Sequence, residues 1–194
     1  MIGLYRHVIE NDKITRSCEG PSLAPGREIS NKTVGIIGLG AIGQRTAKLA
    51  QAFGCKVIAW NRTPKDVEGV TLVDKETLLK ESDIITLHIA LNEETRNFIT
   101  AKEIGMMKPS AIIINAARGP IINTNDIAEA LRNGRISGAA LDVFDKEPPL
   151  DKSNPLLNLP NTMLMPHIGF ATEEAFEIRL GIVVENIKKF IKAC

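Results

Sequence analysis

Residues 33–43 read TVGIIGLGAIG. The stretch starts as an apolar, β-branched run and breaks into three glycines, Gly38, Gly40 and Gly43, as an amphipathic segment, Ala41–Phe53, takes over. Strand, glycine turn, helix is the context in which a G-x-G-x-x-G spacing carries meaning. Each glycine has its own task. Gly38 permits the tight turn, Gly40 lets backbone approach a pyrophosphate, and Gly43 lets the helix pack closely on the strand. An anion in that turn meets free N–H groups at the positive end of a helix. The bland alternative is a glycine-rich turn that holds no ligand.

Outward from this unit the same alternation repeats. Strand-like runs fall at Thr33–Gly38, Lys56–Trp60, Asp83–Ile89, Ala111–Asn115, Ile136–Asp142 and Thr162–Met165, with helix candidates at Ala41–Phe53, Lys75–Glu81, Thr100–Met106 and Asn125–Asn133. Several runs are apolar on consecutive positions, as strands buried on both faces are. The pattern predicts an α/β fold, a Rossmann-type doubly wound parallel sheet with helices on both faces and right-handed crossovers. The two ends differ. Residues 1–29 carry an apolar patch (Ile2, Leu4, Tyr5, Val8) and then a Pro/Gly-rich loop through Gly20, Pro21, Pro25 and Gly26. Residues 172–192 read as one long helix, with Thr172 as N-cap, Glu173 and Glu174 in its first turn, and an apolar stripe through Phe176, Leu180, Val183, Val184, Ile187, Phe190 and Ile191. Both ends need apolar surface to pack on, supplied by the core, by another domain or by a second subunit.

Composition narrows the class. With 194 residues the chain builds one domain with a sizeable core, or at most one and a half. A net charge of +1 without a long basic run leaves no electrostatic footprint for nucleic acid or an anionic membrane. The longest apolar run, around Ala111–Ala117, is too short to span a bilayer. Charged residues in MIGLYRHVIE do not suit a signal peptide. Cys18, Cys55 and Cys194 show neither CxxC nor metal-ligand spacing. Reduced thiols in the cytoplasm and no bound metal are the expectation.

The second strand runs into AWNRTP, residues 59–64. An acidic residue about twenty positions beyond the glycine loop would accept hydrogen bonds from the adenosine ribose of NAD. Asn61 stands there instead, followed by Arg62 and Thr63. Asn61 removes a charge that would repel a 2′-phosphate, Arg62 supplies a charge-assisted donor, and Thr63 a neutral one. The stretch predicts NADP in preference to NAD; a solvated turn before Pro64 is the plain alternative.

Three further stretches place polar residues just after apolar runs: NAARGP (115–120), LDVFDKEPP (141–149) and PHIGF (166–170). In a parallel α/β sheet, ligands bind outside the carboxyl ends of the strands. Arg118, Glu147 and His167 could all face one ligand there. Singly, each has a structural reading: a turn residue beside Gly119, a terminator before Pro148, a satisfied core histidine after Pro166.

Taken together, GIIGLGAIG, NAARGP, GAALDVFDKEPP and PHIGFAT resemble the signatures of D-isomer-specific 2-hydroxyacid dehydrogenases, over nearly the whole chain. The resemblance implies three catalytic residues. Arg118 would bind the carboxylate and keto oxygen of a small 2-oxo acid, His167 would be general acid in reduction and base in oxidation, and Glu147 would hold the imidazole and favour its charged form. Arg suits a carboxylate because its planar fork stays charged and binds bidentately. Cofactor-facing positions would be Gly38, Gly40, Ala41, Ile42 and Gly43 around the pyrophosphate, Asn61, Arg62 and Thr63 at the adenosine, and His88, Ala90, Thr95, Ala116, Arg118, Asp142, His167 and Gly169 beyond them. Ala90 stands where the family pattern has proline after Leu87-His88-Ile89, which loosens that loop. His88 reads as a cofactor neighbour and His7 as structural.

The resemblance also implies an organisation: a connecting helix and loop at 1–29, a dinucleotide-binding domain at 30–170, and a helix at 171–194 that returns toward a mostly absent substrate domain. A chain of that kind binds NADP or NAD and turns over poorly by itself. A small 2-oxo or 2-hydroxy acid is the substrate, glyoxylate or hydroxypyruvate reductase chemistry the specific reading, and a homodimer the assembly. The competing reading is a dinucleotide-binding sensor or scaffold without chemistry.

Overall fold

A computed structural model describes residues 1–18, 20, 25–147 and 149–193. Pro21, Pro148 and Cys194, named above, lie outside the described residues. The core is a seven-stranded sheet. Its strands are β1 (Thr33–Ile37), β2 (Lys56–Trp60), β3 (Val70–Leu72), β4 (Ile84–Leu87), β5 (Ile112–Asn115), β6 (Gly138–Leu141) and β7 (Thr162–Leu164). The spatial order is β3-β2-β1-β4-β5-β6-β7 and every pairing is parallel. This is the doubly wound arrangement the alternation predicts, with its reversal of winding between β1 and β4.

Successive residues of a strand point to opposite faces, and the core divides accordingly. Val34, Ile36, Val57, Ala59 and Ile84 pack in one apolar cluster, while Ile37, Ile58, Ile85 and Leu87 pack in the other. Helices α3 (Ala41–Ala52), α4 (Lys75–Glu81), α5 (Ala101–Met106) and α6 (Thr124–Arg132) form the crossovers. Their starts are written in side chains. Asp74 accepts from the Thr77 amide, Thr100 and Glu103 form a reciprocal capping box, and Asn123 accepts from the amides of Asn125 and Asp126.

Two features depart from the sequence reading, and a third leaves an open question of packing in place. The short edge strand β3 was not expected. The connecting segment is two helices, α1 (Ile2–Tyr5) and α2 (Val8–Arg16), separated by His7 in the left-handed region at φ 49°. Tyr5 is buried in the cluster of Val34 and Ile36, and burial with the charge of Asp83 pushes its hydroxyl up to about 12. The last helix, α7 (Glu173–Ala193), leaves its apolar stripe open, with Phe176 53% and Phe190 72% exposed. No helix among the described residues is long and apolar enough to cross a membrane, and no group of three metal-ligating side chains occurs among them.

Candidate active site

Because all seven strands are parallel, their carboxyl ends lie on one edge, and each predicted site residue falls in a loop that leaves that edge or opens the helix behind it. The glycine loop leaves β1. Gly38 has φ 102°, and a Cβ there would sit 2.7 Å from the His88 carbonyl oxygen. A Cβ on Gly43 would come 2.0 Å from the Gly38 carbonyl, so α3 rests directly on the turn. Gly40 is the extended N-cap of α3, and nothing lies within 4 Å of where its Cβ would be. No side chain caps α3 and no acid occupies its first turn, so the first-turn amides, Ala41 and Ile42 among them, are left for an anion. These glycines leave the cradle that a dinucleotide pyrophosphate requires.

A cavity of about 290 Å³ adjoins this loop, lined by Gly38, Gly40, Trp60, Asn61, Arg62, Thr63, His88, Ala90, Glu94, Thr95 and Phe98, with Ile89 and Asn92. The Asn61 side chain is committed within the protein. Its Oδ1 accepts from the Leu39 amide at 2.9 Å and its Nδ2 donates to the Thr63 carbonyl at 2.6 Å. It ties the end of β2 to the glycine loop, which leaves Arg62 and Thr63 to meet a ligand. Arg62 Nη1 lies 3.3 Å from Glu94 Oε2. Trp60 and Phe98 form the apolar wall, their ring centroids 5.2 Å apart. The loop at Ala90 is not loose despite the missing proline. Thr95 Oγ1 donates to the Ala90 carbonyl at 2.7 Å, and Asn92 and Thr95 bond to each other through both backbone and side chain. His88 Nε2 lies 3.1 Å from Thr86 Oγ1, and burial lowers its pKa, so it stays neutral near pH 7.

The polar residues of β5, β6 and β7 gather further along the same edge. Asn115 shapes the first of these loops, donating to the Arg118 carbonyl and accepting from the Ala117 amide. Arg118 is exposed, its Nη1 donating to the Ala117 carbonyl at 2.6 Å. Gly119 packs on the next loop so tightly that a Cβ would lie 2.1 Å from the Phe144 carbonyl carbon. Glu147 holds its neighbours with both oxygens: Oε2 accepts from the Phe144 amide at 3.0 Å, and Oε1 lies 2.6 Å from His167 Nδ1. Asp142 accepts from the amides of Ile168 and Gly169, at 2.9 and 2.7 Å. His167 itself adopts φ 57°, a conformation a non-glycine residue holds only where its surroundings fix it. With Nδ1 occupied, Nε2 is the ring atom left to reach a substrate. An apolar cavity of about 550 Å³ lies beside the pair, lined by Phe144, Leu150, Leu157, Leu164, Met165 and Phe170 among others. Ala116 and Arg118 line neither cavity; they stand exposed at the end of β5, between β4 and β6 in the strand order.

Sequence reasoning missed Trp60, Phe98, Glu94 and the Phe144 amide. A signal existed for two of them: Trp60 directly precedes NRTP, and Glu94 belongs to the paired acids of the NEET stretch at 92–95. Phe98 and the Phe144 amide carry no such mark.

Known proteins are similar to this chain in sequence and fold. A glyoxylate reductase of Thermococcus litoralis is 43% identical over 204 residues, covering 99% of this chain and 61% of its own length. A D-isomer specific 2-hydroxyacid dehydrogenase of Lactobacillus delbrueckii ssp. bulgaricus, solved in its NAD-complexed form, superposes with a TM-score of 0.85 at 33% identity, over 99% of this chain and 63% of that one. An acyclic imino acid reductase solved with NADPH and D-Arg gives 0.89 at 36% identity, over 99% and 62%. The chain thus spans about three fifths of the length of these relatives. Residues 1–169 match the model of the D-isomer specific 2-hydroxyacid dehydrogenase NAD binding domain. With that match, a doubly wound sheet and a glycine cradle in its first βα turn, the chain belongs to the D-isomer specific 2-hydroxyacid dehydrogenase family, whose NAD-binding domain it comprises.

Proposed function

We propose that the chain is the cofactor-binding half of an NADP-preferring reductase of small 2-oxo acids, of the glyoxylate or hydroxypyruvate type. The observation that carries the catalytic reading is the His167–Glu147 contact, 2.6 Å long, on the same sheet edge as the glycine cradle. The reduced nicotinamide, when bound, supplies the hydride to the keto carbon. The chain supplies the rest. The Arg118 guanidinium pairs with the substrate carboxylate and draws negative charge toward the keto oxygen. His167 gives that oxygen a proton from Nε2, while Glu147 fixes the ring through Nδ1. Asp142 keeps the His167 loop in place through the amides of Ile168 and Gly169. A dinucleotide sensor or scaffold would have no use for a histidine held in this way.

The preference for NADP is supported by a β2 end without an acid and with Arg62 and Thr63 facing the cavity. The apolar stripe of α7 supports a further part of the proposal, a homodimer. Three measurements test the reading. Fluorescence titration of this chain should give a lower Kd for NADPH than for NADH; tighter NADH binding overturns the preference. In a protein carrying both domains, His167→Ala should lower turnover of a 2-oxo acid by about 10²- to 10⁴-fold with cofactor Kd unchanged; near-normal turnover rejects the catalytic assignment. Light scattering at micromolar concentration should report a dimeric mass, and a monomeric one refutes that part.

A further inference from the structure

Arg62 and Glu94 come from loops after different strands, β2 and β4, and are 32 residues apart in sequence. They meet across the cavity next to the glycine loop, with Nη1 and Oε2 3.3 Å apart. Their side chains are 77% and 74% exposed, so the pair is open to whatever enters. Each is the other's sole polar side-chain partner among the described residues. The contact is single and longer than a strong charge-assisted bond, about 2.7–2.9 Å, so it is readily exchanged for a better acceptor.

We infer that Glu94 is a specificity-determining residue that opposes NADP, because its carboxylate competes with a 2′-phosphate for the Arg62 guanidinium. The inference rests on the reading above, in which Arg62 receives that phosphate. One guanidinium fork serves one carboxylate or one phosphate at full geometry. A phosphate arriving at Arg62 must displace Glu94, and it then lies beside a like charge that Arg62 no longer neutralises. NAD carries a hydroxyl at that position, so it meets neither the benefit of Arg62 nor the repulsion of Glu94. The missing acid at the end of β2 is in this sense replaced by one reaching over from the loop after β4, held in reserve by Arg62. Cofactor preference is then set by two opposed charges instead of by the β2 turn alone.

The chain reports on its own binding. Trp60, the sole tryptophan, lines this cavity, so a cofactor entering it is expected to change the tryptophan emission. Kd values for NADPH and NADH are measured for the wild-type chain, Glu94→Gln, Arg62→Ala and the double variant, with a thermal melt of each to verify folding. Glu94→Gln should tighten NADPH about three- to tenfold, as expected of one exposed charge next to a phosphate, and leave NADH within about twofold. Arg62→Ala should weaken NADPH alone, and the gain from Glu94→Gln should largely vanish in the double variant. If Arg62→Ala leaves NADPH binding unchanged, the phosphate-receptor reading itself fails. If Arg62→Ala weakens NADPH but Glu94→Gln leaves it unchanged, the role of Glu94 is overturned and the receptor reading stands. A full gain from Glu94→Gln that survives in the double variant overturns the competition for Arg62.

Discussion

The Leu39 amide donates to Oδ1 of Asn61 at 2.9 Å, so the middle of the glycine loop hangs from the residue that ends the second strand. The Asn61 Nδ2 donates in turn to the Thr63 carbonyl. Asn61 therefore acts on the cofactor through the shape of the loop. Asn61→Ala removes both bonds and leaves the Leu39 amide without its acceptor, at a cost of about 1–2 kcal/mol. NADPH and NADH should weaken together in that variant. Asn61→Asp keeps an acceptor for Leu39 but introduces a charge at the adenosine end, and should shift the Kd ratio toward NADH. A loss confined to NADPH in Asn61→Ala would show direct phosphate contact instead.

Glu147 serves two elements at once, the Phe144 amide and the His167 ring. Glu147→Gln keeps the size and one acceptor but replaces the carboxylate that meets the imidazole at Nδ1 with a neutral amide. In a protein with both domains, turnover should fall about 10- to 100-fold, in line with loss of a partner that orients an acid–base group. Cofactor Kd should stay within twofold and the denaturation midpoint close to wild type. Unchanged turnover would reduce Glu147 to a loop anchor.

Gly43 is set by packing alone. A Cβ there would lie 2.0 Å from the Gly38 carbonyl oxygen, and backbone on both sides cannot yield as a flexible side chain would. Gly43→Ala should displace the start of α3 from β1, cost about 1–3 kcal/mol of stability, and weaken both cofactors at least tenfold. By contrast, Gly40→Ala meets open space on the protein side. It should fold normally and lose affinity only by intruding on the ligand. Equal melting temperatures for the two variants would contradict the packing argument.

What the sequence disclosed follows from the range of the interactions involved. The β1 turn was legible because its three glycines answer local demands of backbone, and the buried strands because their apolar runs are continuous. The edge strand Val70–Leu72 was not, since three half-exposed residues carry no period. The pairing of Glu147 with His167 spans twenty residues and two loops, so the residues themselves left each with a structural reading and only family resemblance joined them. The Arg62–Glu94 contact depends on β2 and β4 flanking β1, a fact of sheet order that no local pattern states. Asn61 shows the reverse case: it stands at the end of the second strand as the sequence places it, but its hydrogen bonds turn inward because the neighbouring loop offers an amide.

Behind the apolar wall of the cofactor cavity lies a polar network that should set part of the acid stability. Lys75 Nζ bonds Glu103 at 3.0 Å and the Phe98 carbonyl at 3.1 Å, and sits 4.0 Å from the centre of the Phe98 ring. Burial pushes the Glu103 carboxyl up, but hydrogen bonds from Thr100 and Lys75 and the charge of Lys75 outweigh it and hold the group at about 2, against an ordinary 4.5. A carboxylate depressed on folding contributes stability that is complete above its unfolded value. That stability is lost as pH falls through the window from 4.5 to about 2. Glu103→Gln removes the charge and weakens the capping box of α5, so at pH 7 it should be less stable than wild type by about 1–3 kcal/mol. Urea denaturation of both proteins at pH 7, 4 and 2.5 checks this. The gap between them should close as the pH drops, because Glu103 of the unfolded chain takes up its proton below 4.5 while the folded carboxylate stays ionised to about 2, and His88 and the other depressed carboxylates affect both proteins alike. A gap that stays constant across the series would assign the loss to the cap geometry alone.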